Sequence, residues 1–92
     1  MKLEVIYLKK AEKFFSKNHI LKKSEATKLV AKACKKIFLH EDVNIDLKRL
    51  KGNLNNFYRI RYKDIRILFE LKDEKIIVKA IVNDIDFRGS IY

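Results

Sequence analysis

The chain has no proline, no tryptophan, two glycines (Gly52 and Gly89) and one cysteine, Cys34. The residues that usually punctuate a chain are nearly absent, which excludes long turn-rich stretches and favours closely connected elements with short loops. A single cysteine excludes an intrachain disulfide and suggests no metal cluster. No apolar run is long enough to span a bilayer and no signal peptide is recognisable, so the cytoplasm is the expected location. Low-complexity tracts, repeats and linkers are missing too. Ninety-two residues, 48% of them apolar, suffice for one modest core and exclude a disordered chain. We expect a single domain over residues 1–92.

Acidic residues are also in short supply. Twelve Asp and Glu face 22 Lys and Arg, leaving a formal charge of +10. Such a balance favours a polyanion or an acidic protein as partner; a generally lysine-rich surface is the plainer reading. The arginines separate the two. There are five, Arg49, Arg59, Arg61, Arg66 and Arg88, and none lies in the first 48 residues, where lysine supplies all the positive charge. Lysine spread evenly reads as solvated surface. Arginine gathered late in the chain reads as an anion site, because its planar fork matches phosphate geometry.

Periodicity supplies the elements. Lys2 to Leu8 is β-rich and apolar enough for a strand buried on both faces. A short helix follows from Lys9 to about Lys17, with Ala11, Phe14 and Phe15 inward and Asn18 and His19 as end signals. Ser24 is the expected N-cap of the next helix, with Glu25 suited to its dipole. Ala26, Leu29, Val30, Ala33, Cys34, Ile37 and Phe38 form its sustained apolar stripe. Cys34 on that stripe is a small core residue rather than a nucleophile. Residues 40–56 read as the longest irregular stretch, with His40 at a helix end, Leu47 and Leu50 tucked inward, and Leu50-Lys51-Gly52 turning the chain.

Three strands follow: Phe57 to Tyr62, Ile65 to Lys72 and Lys75 to Val82. Two-residue turns at Lys63-Asp64 and Asp73-Glu74 join them. One face of this meander collects Tyr58, Ile60, Tyr62, Ile65, Ile67, Phe69, Leu71, Ile76, Val78, Ala80 and Val82, and should lie on the helices. The other collects Arg59, Arg61, Arg66, Leu68, Glu70, Ile77, Lys79 and Ile81. The segment from Asn83 to Tyr92 reads as a tail that folds back beside the meander, bringing Arg88 and Tyr92 to the cationic face. The stretch Phe57 to Arg66 holds three arginines and two tyrosines in ten residues. With Lys63-Asp64 as the turn, Arg61 stands opposite Arg66. Like charges facing across strands repel, so the pairing points to an anion held between them.

Strand, two helices, then an antiparallel meander, with Leu50-Lys51-Gly52, Tyr58-Arg59-Ile60-Arg61, Ile65-Arg66-Ile67-Leu68-Phe69 and Arg88-Gly89-Ser90-Ile91-Tyr92 in order, resembles the RelE/ParE toxin superfamily of toxin–antitoxin systems, on its RelE branch. The resemblance implies an α+β, RelE-like fold, with the meander packed against the helices. It also implies a ribosome-dependent mRNA endoribonuclease that inhibits translation, held inactive by an acidic cognate antitoxin. In such members basic residues at the positions of Arg59 and Arg61 contact the phosphate region, the arginine at Arg66 stabilises the scissile phosphate, and the cation and tyrosine at Arg88 and Tyr92 lie beside the leaving group and base. The chain departs from the pattern at the acid–base groups. Arginines stand where some relatives carry lysines, and arginine is a poor base. Ile91 and Phe87 stand where a histidine is frequent.

The implied chemistry needs no metal or cofactor: the 2′-OH attacks the adjacent phosphate, giving a 2′,3′-cyclic phosphate and a 5′-OH. Clustered arginines suit the phosphorane charge. Arg61, Arg66, Arg88 and Tyr92 are the candidate catalytic residues. Arg59, Lys51 and Lys79 are candidate RNA contacts, and each also reads as an ordinary surface cation. Tyr92 equally reads as a frayed terminus. Tyr58 and Tyr62 read as core or rim aromatics. The competing functions are a ParE-like DNA gyrase inhibitor without nuclease activity and a basic module that binds RNA without cutting it.

Overall fold

Strict alternation through the C-terminal half builds the middle of a five-stranded sheet, onto one face of which the two helices pack. The computed structural model describes residues 2–51, 56–74 and 77–87. In chain order the elements are β1 (Lys2–Tyr7), α1 (Lys9–Lys17), α2 (Lys23–Phe38), β2 (Asp46–Arg49), β3 (Phe57–Tyr62), β4 (Ile65–Glu74) and β5 (Ile77–Phe87). The strand order is β1-β5-β4-β3-β2. β1 runs parallel to β5, which the intervening helices make possible, and the other pairs are antiparallel. The expected α+β class and meander therefore hold.

Both helices form where their apolar stripes lie. Helix α1 ends at Asn18, whose backbone N–H and side-chain amide both donate to the Phe14 carbonyl, at 2.9 and 3.2 Å. Helix α2 begins two residues before the expected start, its N-cap at Lys22 rather than Ser24. Ser24 lies inside its first turn, and the Glu25 carboxylate accepts the Lys22 N–H at 3.1 Å instead. Reaching back to that otherwise unpaired donor is the acidic half of a capping box. At the other end His40 adopts φ 53°, the left-handed geometry that commonly closes a helix. Ala26, Val30, Ala33 and Cys34 of α2 are buried. Two alanines on this face let the helix approach the sheet closely.

The sheet's contribution to the core is a set of cross-strand rows. Ile67 is the register partner of both Ile60 and Ile85, and all three are at most 2% exposed. Tyr58 and Phe69, also partners, stack at 5.7 Å between centroids, which makes Tyr58 a core aromatic. β1 is an edge strand and alternates: Lys2 and Glu4 are exposed, while Leu3, Val5 and Tyr7 pack on the core. The expectation of burial on both faces fails because the helices cover only one face of the sheet. Tyr7 ties β1 to α2, its hydroxyl lying 2.6 Å from Thr27 Oγ1. Burial raises its pKa above the ordinary value.

Three further expectations change. Residues 40–56 contain β2, a four-residue edge strand paired with β3; its mostly exposed side chains gave no apolar alternation to detect. Leu47 and Leu50 do turn inward. The second turn is displaced. β4 continues to Glu74, and Lys72 pairs with Lys79 rather than with Lys75, so Asp73-Glu74 is strand and not turn; residues 75–76 lie outside the described residues, as does Gly52. Finally, residues 83–87 are not a returning tail but the second half of β5. The ladder shifts between Leu68 and Phe69, and Asn83 is the extra residue, its amide donating to the Ile81 carbonyl at 2.9 Å. Ala80 and Val82 face the core before this bulge and Ile85 faces it afterwards. Unbroken alternation would have sent Asp84 and Asp86 inward with Ala80 and Val82, burying two carboxylates at several kcal/mol or so each.

The isoleucine row carries a testable consequence. Ile67→Ala should lower unfolding free energy by about 2–5 kcal/mol, measured by chemical denaturation. Cys34 carries another. Burial pushes its thiol from 9.0 up to about 11. The folded value lies above the unfolded one, so the stability tied to this group is complete below pH 9 and is lost as pH rises toward 11. Alkylation of the native protein at pH 8 should be slow and should become rapid in denaturant; rapid native labelling would contradict its burial.

Candidate functional site

The Lys63-Asp64 turn sets the site. Lys63 takes φ 55°, a conformation with a steric cost for a side chain bearing Cβ, and its ammonium lies 5.3 Å above the Tyr62 ring. This tight turn places Arg61 and Arg66 directly opposite each other, as the spacing requires. Both are half-buried on the sheet face away from the helices.

The register extends that pair into a row of four. Asp46 of β2 is the partner of Arg61, and Asp86 of β5 is the partner of Arg66. Across the sheet the order is carboxylate, guanidinium, guanidinium, carboxylate. Directly opposed side chains in antiparallel strands have Cβ atoms about 5 Å apart, so each arginine has one like and one opposite charge beside it. An anion is therefore not required to hold the pair together. Neither carboxylate was legible as part of the site: Asp46 lies in the strand hidden within residues 40–56, and Asp86 reaches this face only through the bulge at Asn83. The Asp86 carboxylate also accepts the Phe87 N–H at 2.8 Å.

Arg59 departs most from expectation. It shares this sheet face, two residues from Arg61, yet is only 8% exposed. Its terminal nitrogen Nη2 lies 3.5 Å from Asp46 Oδ1, diagonally across β2–β3. Among the described residues its buried Nε has no hydrogen-bond partner. Such a guanidinium flanks the row and presents little of itself to solvent. Asp46, half-exposed, thus pairs diagonally with Arg59 and stands opposite Arg61 in the register.

The remaining candidates are dispersed. Lys79 lies on the same face but is level with Lys72, six residues along β4 from Arg66, roughly 20 Å at strand rise. Lys51 is exposed just beyond β2. Arg88 and Tyr92 lie outside the described residues. Phe87 faces the helices, its ring 5.6 Å from that of Phe14. The position before Arg88 is thus filled by a packing aromatic. Asp84 and Asp86 also border a cleft of about 380 Å³ between β5 and α1, whose rim carries Lys10, Lys13 and Lys17.

Burial of Arg59 yields a stability test. Its aliphatic stem fills space beside the row, so Arg59→Ala should cost about 2 kcal/mol. Arg59→Met keeps the volume without the buried charge and should leave the thermal midpoint unchanged or raised. Equal destabilisation by both would show that the guanidinium itself holds the sheet.

Comparison with known proteins puts a family to this architecture. No family model matches the chain. Toxin RelE3 of Methanocaldococcus jannaschii is 34% identical over 65 residues, covering 71% of this chain and 68% of that protein. Among solved structures, a copper-bound mutant toxin from Helicobacter pylori superposes with TM-score 0.66 at 16% identity, covering 98% of this chain and 99% of that one. The toxin of the RelB-RelE antitoxin-toxin complex from Methanococcus jannaschii gives 0.58 at 20% identity, covering 95% and 94%. At those identities the two structures speak to the fold, which they share over nearly the full length. With the relative that matches over most of both chains, they establish that this chain belongs to the RelE-like toxins of toxin–antitoxin systems.

Proposed function

We propose that the chain is an mRNA endoribonuclease acting on the ribosome, with Arg61 and Arg66 as the clamp for the scissile phosphate. The observation that carries this is their register: two half-buried arginines stand opposite each other on the sheet face away from the helices. A phosphodiester approaching that face meets two forks at once, and paired N–H donors bind phosphate oxygens strongly. In the reaction the 2′-oxygen forms a bond to phosphorus, the bond to the 5′-oxygen breaks, and negative charge grows on the phosphorane oxygens between them. The arginines stabilise that charge without reorganising.

Arg59 positions Arg61 through Asp46. Arg88 neutralises the leaving 5′-oxygen and Tyr92 stacks on or hydrogen-bonds to the nucleotide; Lys51 and Lys79 make peripheral backbone contacts. With no histidine beside this row, alignment of the substrate by the ribosome supplies part of the rate. An acidic antitoxin would cover the cationic surface; the M. jannaschii structure is itself an antitoxin-toxin complex. Among the described residues no helix is long and apolar enough to cross a membrane.

Mapping RNA 3′ ends in cells expressing the protein tests this reading. Wild type should generate 2′,3′-cyclic phosphate ends within translated messages. Arg66→Ala should reduce them by about 100-fold or more, the usual effect of removing one charge-stabilising donor. Toxicity that survives Arg66→Ala, with blocked supercoiling and intact messages, would instead identify a gyrase inhibitor.

A further inference from the structure

The row across β2, β3, β4 and β5 carries as many carboxylates as guanidinium groups. A chain with a charge of +10 thus presents a locally neutral line where its arginines meet. Both acids are there by backbone register, not by chance rotamers. Asp46 is the Cα partner of Arg61 and lies 3.5 Å from Arg59 Nη2. Asp86 is the Cα partner of Arg66, delivered to this face by the bulge at Asn83.

We propose that Asp46 and Asp86 are built-in counter-ions of the arginine pair. They hold the guanidinium groups apart at the sheet surface and compete with nucleic-acid phosphate for them. This rests on the phosphate-clamp reading above and deepens it. A carboxylate and a phosphate oxygen want the same N–H forks, so a docking phosphodiester must displace or share one acid on each side. A diffuse polyanion resting on the lysine surface gains nothing from that exchange. A single phosphodiester seated between Arg61 and Arg66 does, because it satisfies both forks together. The aspartates therefore lower general RNA affinity while leaving the seated phosphate favoured, and they are positioning and specificity residues rather than groups that touch the reacting atoms.

The test is binding of a short single-stranded oligoribonucleotide, 2′-O-methylated throughout so that it cannot be cleaved, to the intact purified chain. Asp46→Asn and Asp86→Asn should each tighten binding by about two- to five-fold, the range expected for removing one exposed charge pair. Asp42→Asn, an exposed loop acid outside the row, adds the same unit of charge and should change affinity much less at physiological salt. Arg61→Ala and Arg66→Ala should weaken binding. Tightening confined to the row acids supports the proposal. Equal effects of Asp42→Asn and the row variants, or weaker binding on neutralising a row acid, would overturn it while leaving the clamp intact. Binding indifferent to both arginines would overturn the clamp and the counter-ion role together. β2 is short, so Asp46→Asn could loosen it; Asp86 lies in β5, whose pairing with β4 is the longest in the sheet, and its variant answers the question independently.

Discussion

Everything at the candidate site depends on the alignment of β3 with β4. Two arginines are forced opposite each other by a two-residue turn that itself tolerates a left-handed lysine. Shifting that pairing by one residue would send one arginine into the isoleucine core. The hydrophobic row of Ile60, Ile67 and Ile85 prevents this, since a slip would expose apolar groups and bury charge. Core packing on one face thus fixes the spacing of cations on the other.

That repulsive pair is accommodated by acids recruited from the two outer neighbours. The bulge at Asn83 is the device on one side. It lets β5 present Ala80 and Val82 to the helices, then Ile85, while keeping Asp84 and Asp86 out of the core. On the other side β2 is four residues long and mostly exposed, and its Asp46 holds the buried Arg59 and faces Arg61. The electrostatics of the row are inseparable from two local backbone features that carry no apolar signature.

This explains which parts were legible in the sequence. The helices, the first hairpin and the arginine pair follow from strong periodicity and a short turn, and they stand as expected. β2 was hidden because an edge strand with polar outward residues has no alternation to reveal it. The bulge was hidden because one added residue only reverses parity, which a run such as Val82-Asn83-Asp84-Ile85 does not declare. The second turn was displaced for a related reason: Lys72-Asp73-Glu74 has turn-like polarity but continues the strand. Burial of Arg59 could not be read from spacing alone, since its position on the face is as expected and only its depth differs. The family motifs carried the fold and the identity of the arginines, but nothing in them announced the flanking acids.

The central claim is that Arg61 and Arg66 act as one phosphate clamp. A double-mutant cycle measures this directly: single-turnover cleavage of messenger RNA on programmed ribosomes by wild type, Arg61→Ala, Arg66→Ala and the double variant. Two forks on one phosphate predict strong non-additivity, with the double variant scarcely slower than the worse single variant. Additive losses would place the two arginines on separate phosphates and contradict the clamp.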